Sequence, residues 1–206
     1  MLFLLLSSLT FWLFVDSSPA ALEETLVYDV FSGQKVIGEI RATRITTRDT
    51  VHYDMKTSVS YQVLFKTMQF DNHILSQYRA GSLQKASSTD HLNQKLRSQN
   101  QITRQGKHYR ITEDSKSPRI LPQEVIQHCL LSIYFEEPRG VNQVFSQRLA
   151  DLIPIEPAGD HRYAVHLSSS KTNFYQFKDG ICHEVEVDHW FDRFTFRLRS
   201  HQRSSR

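Results

Sequence analysis

Glycine is scarce in this chain: seven in 206 residues, with no run of them, so there is no backbone loop of the kind that cradles phosphates. Ser146 lacks the Gly-x-Ser-x-Gly elbow of a hydrolase nucleophile. There are only two cysteines, Cys129 and Cys182, too few for a disulfide framework. Their neighbours His128 and His183 do not make the spacing of a known zinc motif. Long apolar runs are missing as well, apart from residues 2–15, and those are shorter than the ~20 residues a spanning helix needs. Cofactor, metal and membrane-spanning classes therefore have no motif to stand on, and no catalytic residue is assigned.

The early apolar run has another use. It is followed by Ser18-Pro19-Ala20, small residues at the two positions a signal peptidase reads, so residues 1–20 read as a secretory signal. No base precedes the run, and only the amino terminus supplies positive charge there. No cysteine lies near the cleavage point, which argues against a lipid-anchored lipoprotein. Removing the signal loses Asp16 and no base, moving the formal charge from +3 to +4. The mature chain can bury roughly 70% of its unfolded surface and needs no staple to fold. An exported compartment permits a bridge between Cys129 and Cys182; a buried free thiol at Cys129, which lies in an apolar run, is equally natural. Positive charge clusters only in the last residues, with Arg193, Arg197, Arg199, Arg203 and Arg206. They read as a solvated last strand and a frayed tail, residues 200–206, rather than a nucleic-acid patch.

What the chain does contain is alternation. In residues 51–65, Val51, Tyr53, Met55, Val59, Tyr61, Val63 and Phe65 fall on one set of positions; His52, Asp54, Lys56, Ser58, Ser60 and Gln62 fall on the other. Successive strand side chains point to opposite faces, so this is a long strand with one buried side. Residues 25–31 and 36–46 precede it around the turn 32–35, with Gly38 marking a bulge or a close approach. The apolar phase slips near residues 64–67 and demands a tight turn there. Met68, Phe70, Ile74 and Tyr78 then continue the pattern. Residues 83–92 and 96–104 are polar throughout and predict a hairpin exposed on both faces or at an edge. Residues 122–135, opened by Pro122, read as a short helix with Ile126, Cys129, Leu130 and Ile133 on one face; a buried strand from 129 to 135 is the alternative. The last third alternates again, with a turn at 157–160 and Asp179-Gly180 as a strong hairpin signal. The expectation is a single all-β domain, residues 21–199. It would be an antiparallel barrel or strongly curved sheet of about ten or eleven strands with one short helix.

The order YDVFSGQKVIGEI, QYRAGSLQKASS, LLSIYFEEPRG, QVFSQ and NFYQFKDGICHEVEV resembles a family of exported Gram-negative bacterial proteins, a domain of unknown function. Its most specific piece is residues 134–140 followed by Val144-Phe145-Ser146, and Asn173, Tyr175 and Gly180 form the second. The resemblance covers residues 26–198 and implies export to the periplasm or cell envelope and a β-rich single domain. It supplies no activity.

For function, the aromatic inner face suggests a binding or carrier pocket for an apolar small molecule or lipid, or a scaffold for an envelope protein partner. Tyr53, Tyr61, Phe70, Tyr134, Phe135 and Arg139 are its candidate residues, with Met55 and Phe196 on the same face. Such a pocket needs at least ~300 Å³. The competing reading is an envelope hydrolase using His128, His183 or His189 with a carboxylate, which requires the pair to converge in one cleft. Asp90-His91, Asp160-His161 and Asp188-His189 are sequence neighbours that strand geometry points apart. Glu136 and Glu137 offer an acid and a base, or simply a solvated turn.

Overall fold

The computed structural model describes residues 21–63, 65–114, 116–189 and 192–205. The expected signal, residues 1–20, lies outside them. Fourteen strands follow in order. They are β1 (Leu22–Ser32), β2 (Lys35–Thr46), β3 (Thr50–Val63), β4 (Lys66–Arg79), β5 (Ser82–Leu92), β6 (Lys95–Gln105), β7 (His108–Glu113) and β8 (Arg119–Leu121). After a crossing segment come β9 (Gln143–Ser146), β10 (Asp151–Gly159), β11 (Arg162–Ser168), β12 (Lys171–Lys178), β13 (Ile181–His189) and β14 (Asp192–Ser205). They form one antiparallel sheet in the order β8-β7-β6-β5-β4-β3-β2-β1-β14-β13-β12-β11-β10-β9. The strand count exceeds the ten or eleven expected, and β8 and β9, too short to show a period in the sequence, account for two of the additional strands.

The sheet curls but does not close, because β8 and β9, at its two edges, do not pair with each other. The seam is bridged by other means. Residues 128–130 run beside β9, with Phe145 N–H donating to the His128 carbonyl (2.9 Å) and Leu130 N–H to the Phe145 carbonyl (2.9 Å). Leu83 N–H on β5 donates to the Ile126 carbonyl (2.9 Å), and Arg119 on β8 donates to the Ala150 carbonyl (2.6 Å).

Residues 122–135 are not the expected helix; the described residues contain one 3-10 turn, Ser132–Tyr134, and no α-helix. The cause is burial on all sides. Leu131, Ser132, Ile133, Tyr134 and Phe135 are each buried in succession, leaving no polar stripe to face water. This segment threads into the curled sheet as a plug. Ile126, Leu131, Ile133, Tyr134 and Phe135 join the main core, and together their burial is worth on the order of 10 kcal/mol before entropy is subtracted. No helix among the described residues is long and apolar enough to cross a membrane.

Two further corrections concern polar stretches. The β5–β6 hairpin is neither an edge nor open on both sides: it sits between β4 and β7, with Ser88, Asp90 and Asn100 buried. Ser88 Oγ accepts from Asn72 Nδ2 on β4 (3.4 Å), while Asp90 and Asn100 find partners in the loop after β9. Asn100 Nδ2 donates to the carbonyls of Arg148 (2.7 Å) and Gln147 (3.3 Å), and Gln147 Nε2 donates to Ser76 Oγ (2.8 Å). The segment 200–205 is not a disordered tail but the end of β14, paired to β1 from Val27↔Ser200 to Leu22↔Ser205.

The local signals around glycine hold. Val63 pairs with Lys66, so β3 and β4 are joined by a two-residue turn where the phase slips. Asp179 and Gly180 have φ of +51° and +79° and close the β12–β13 hairpin. The turn expected at 157–160 is centred slightly later, since β10 continues to Gly159 and β11 begins at Arg162. Gly38 lies beside a bulge, and a Cβ there would fall 2.1 Å from the Ser58 carbonyl oxygen of β3.

Candidate ligand-binding site

The antiparallel order gives the curled sheet two ends. Every odd-numbered strand from β1 to β13 ends at one, which therefore carries the β1–β2, β3–β4 and β5–β6 hairpins; every even-numbered strand ends at the other, where the plug enters between β8 and β9. The candidate residues divide between them. Tyr53, Tyr134 and Phe135 belong to the plugged half. There the Tyr53 and Phe135 rings stand 5.7 Å apart, and Tyr134 makes edge contacts with Tyr28 (5.4 Å) and Tyr175 (5.9 Å). Burial pushes the Tyr53 phenol up to about 12, with Cys129 adding to the rise and Arg44 opposing it. Arg44 also lies over the Phe135 ring at 5.2 Å. Arg139 is exposed and bonded to Glu137, and it lines only a small cleft of about 170 Å³ beside the plug. Tyr134 and Phe135 fill space, whereas Tyr53 also borders an open groove of about 620 Å³.

Tyr61 and Phe70 belong to the other half. With Val30, Ile37, Val59, Val187, Phe194 and Phe196 they line an open cavity of about 350 Å³. Leu92 and Thr57 complete that side, and the wall also holds charged residues that no sequence pattern marked: Asp90, Arg97 and Arg148. Asp90 is 3% exposed and accepts from Asn72 Nδ2 (2.5 Å), Arg148 Nε (2.8 Å) and Ser98 Oγ (3.2 Å). The Arg148 guanidinium also lies over Phe70, 5.7 Å from its centroid. Arg97 is the extra residue of a bulge, since Asp90 pairs with Ser98 and His91 with Leu96. No hydrogen bond or ion pair engages its guanidinium among the described residues. The cavity therefore offers an apolar wall and one uncommitted cation, with Asp90 already neutralised.

The carboxylates of the plug have a different environment. Glu137 accepts from Arg139 (2.9 and 3.0 Å), from Tyr163 Oη (3.1 Å) and shares a bond with His161 Nδ1 (3.0 Å). Burial would raise its carboxyl, but the bonds from Arg139, His161 and Tyr163 outweigh it and hold the group below the ordinary carboxylate range. Glu137 is thus an ionised clamp between plug and sheet, unsuited to act as a general acid. A small cleft of about 170 Å³ does bring His128, Ser132, Glu136 and Glu137 together. Yet the Ser132 hydroxyl donates to the Cys129 carbonyl (2.8 Å), and no bond joins His128 to a carboxylate among the described residues. His183 is exposed, and the side chain of His189 lies outside the described residues.

Cys129 and Cys182 are both buried and free, not bridged. The Cys182 thiol faces the Glu184 carbonyl (3.6 Å), whereas Cys129 lies against Ser76 on the plug side. No group of three or more His, Cys, Asp or Glu side chains is placed to hold a metal among the described residues.

Fold and site together define a β-barrel-like protein, half stoppered by its own chain and half open. The chain belongs to the family described as domain of unknown function DUF6134, which matches residues 28–199. Among solved structures it is similar to the beta-barrel-like protein of domain of unknown function DUF1849 from Brucella abortus. That likeness has a TM-score of 0.55 at 8% identity, covering 91% of this chain and 100% of the other, and it speaks for the fold alone. No curated protein matches the sequence.

Proposed function

We propose that this protein is a non-enzymatic carrier or binding module. It holds an apolar small molecule with an anionic head in the open half of its interior. The observation that carries this reading is the cavity of about 350 Å³ with aromatic and aliphatic walls, within the usual range of ~300–1,000 Å³ for ligand sites. Its one uncommitted cation, Arg97, would meet the head group through a charge-assisted hydrogen bond, while the tail lies against Val59, Tyr61, Phe70 and Phe196. We also propose that the chain is exported to the periplasm or cell envelope of a Gram-negative bacterium. The apolar run of residues 2–15 with Ser18-Pro19-Ala20, and the resemblance to an exported family, support this.

Native mass spectrometry of the protein purified from its own envelope fraction tests both. The expected result is a mature mass lacking the signal, carrying an acidic amphiphile released on denaturation. Reloading with decanoate should succeed for the native chain, weaken about tenfold in Arg97→Gln, and fail in Val59→Trp, whose ring fills the cavity. An empty mature mass that takes up no decanoate would overturn the ligand reading and turn attention to surface partners. A mass that retains residues 1–20 would overturn export by cleavage.

A further inference from the structure

The rim of the cavity has a composition of its own. Three neighbouring hairpins at the open end, β1–β2, β3–β4 and β5–β6, each set a basic side chain next to an exposed apolar one: Lys35 with Val36, Phe65 with Lys66 and Lys95 with Leu96. Val36 is 51% exposed and Leu96 52%, and Phe65, at the tip of the β3–β4 hairpin, is wholly in solvent. Neighbouring strands lie ~4.8 Å apart, so the three hairpin tips follow one another at intervals of about 10 Å along the rim. The opposite end supplies a comparison within the same molecule. Its hairpin turns carry Arg48-Asp49, Ala80-Gly81, Gly106-Lys107, Asp160-His161 and Asp179-Gly180, with no large apolar side chain. Scattered exposed apolar residues need no explanation, but three on successive hairpins beside one apolar opening do.

The charges point the same way. Several arginines on the walls of the barrel are matched to carboxylates: Arg162 to Glu186, Arg197 to Glu184, Arg199 to Asp29 and Glu39. On the rim, Lys35, Lys66 and Lys95 have no ion-pair partner among the described residues, so their ammonium groups are open to an external anion. A lysine beside an apolar residue suits the boundary between phosphate head groups and acyl chains, where the stem lies along lipid and the ammonium reaches the phosphate.

We propose that this rim docks on a lipid bilayer bearing anionic head groups. Phe65 is the anchor that enters the acyl boundary, Val36 and Leu96 flank it, and Lys35, Lys66 and Lys95 contact the phosphates. The cavity then opens directly onto lipid, an arrangement that goes beyond the ligand reading and does not depend on it. A protein partner is disfavoured by the shape: separate tips about 10 Å apart do not present a continuous flat patch, whereas a fluid bilayer needs none.

The test is co-sedimentation of the full chain with phosphatidylcholine vesicles and with vesicles containing phosphatidylglycerol. Binding is expected to be much stronger on the anionic vesicles and to weaken with added salt. Phe65→Ser should weaken it about tenfold or more. Each of Lys35→Gln, Lys66→Gln and Lys95→Gln should cost about fivefold, and the triple variant on the order of a hundredfold. Lys107→Gln, on a turn at the other end, should change nothing. All five positions are exposed, so melting temperatures of the variants should match the native chain and exclude misfolding as the cause. Failure to bind either kind of vesicle, or unchanged binding in Phe65→Ser and the triple lysine variant, would overturn the proposal. Decanoate uptake that fails while vesicle binding persists strikes only the ligand reading.

Discussion

Glu24→Gln is the substitution that tests the electrostatics of the plugged end most directly. Glu24 faces inward from β1 and is 1% exposed. Its carboxylate accepts bonds from Arg44, from Arg203 Nε (2.8 Å) and through His201 Nε2 (2.5 Å). Burial alone works against the charge, yet the bonds from Arg203, Arg44 and His201 outweigh it and hold the carboxyl below its ordinary 4.5. Glutamine keeps the shape but removes the charge and turns an N–H₂ toward groups that are already donors. A hydrogen bond to a charged group is worth ~1.5–3 kcal/mol, and the Arg203 bond counts lightly because that side chain is more than half in solvent. The net loss is then about 2–3 kcal/mol, or a fall in Tm of about 4–12 °C at the ~2–4 °C per kcal/mol of a chain this size. Because the folded pKa is lowered, the native contribution is complete above the unfolded value of 4.5 and disappears as pH falls through the folded one. Thermal unfolding followed by circular dichroism, at neutral pH and at stepwise lower pH, should show a gap between native and variant that is widest at neutrality and closes on acidification. A gap that is absent at neutral pH, or that stays constant down to acid, would refute the argument.

Two other outcomes are expected. Gly38→Ala should cost at least ~2–3 kcal/mol in a chemical denaturation curve. A Cβ there meets the Ser58 carbonyl oxygen at 2.1 Å and Val59 Cα at 2.6 Å, both backbone atoms, so β2 and β3 must part. A loss under ~1 kcal/mol would mean the strands are not this close. Cys129 and Cys182 should resist a thiol-reactive probe in the native state and both react once unfolded, since both are buried and burial pushes the Cys182 thiol far up. A protein that remains unreactive when unfolded without reductant would instead carry a bridge.

The strands that alternate were legible because one buried side forces a period of two: Leu26, Tyr28 and Val30 on β1, or Met55 and Val59 on β3, are inside as the pattern demands. Legibility failed wherever the inside of the barrel is not apolar or not sheet. Much of the inner face of β5 and β6 is Ser88, Asp90 and Asn100, which imitates a solvated hairpin, because the partners of Asp90 and Asn100 come from Gln147 and Arg148 some fifty residues away. The segment 122–135 imitates a helix because a plug surrounded by sheet needs apolar residues at almost every position, and a dense apolar run contains a helical stripe whether or not it forms one. Arg203 and His201 imitate a frayed tail because their anchor, Glu24, is at the other end of the chain. Each of these stretches takes its place from a distant partner that local pattern does not show.

These misread segments also divide the interior. The Asp90–Arg148 pair faces the cavity, while Gln147, in the same loop, reaches Ser76, and Cys129 of the plug lies against Ser76 from the other side. The polar loop after β9 is thus a floor between the filled half and the open half. If the interior served only to hold the fold, apolar side chains of similar volume would be at least as stable as the buried carboxylate of Asp90, which is costly to desolvate. A polar floor is in keeping with the proposed ligand, polar at one end. Arg97, on the same bulge and left without a partner, places that polarity at the cavity wall rather than beneath it. Removing the floor and removing the cation should accordingly separate. Arg97→Gln is expected to lower ligand uptake at unchanged stability, whereas Asp90→Ala, which takes an acceptor from Arg148, Ser98 and Asn72, is expected to lower stability by about 1–3 kcal/mol as well. Chemical denaturation paired with decanoate uptake reads both quantities, and equal stability losses in the two variants would mean that Arg97 is part of the floor and not of the site.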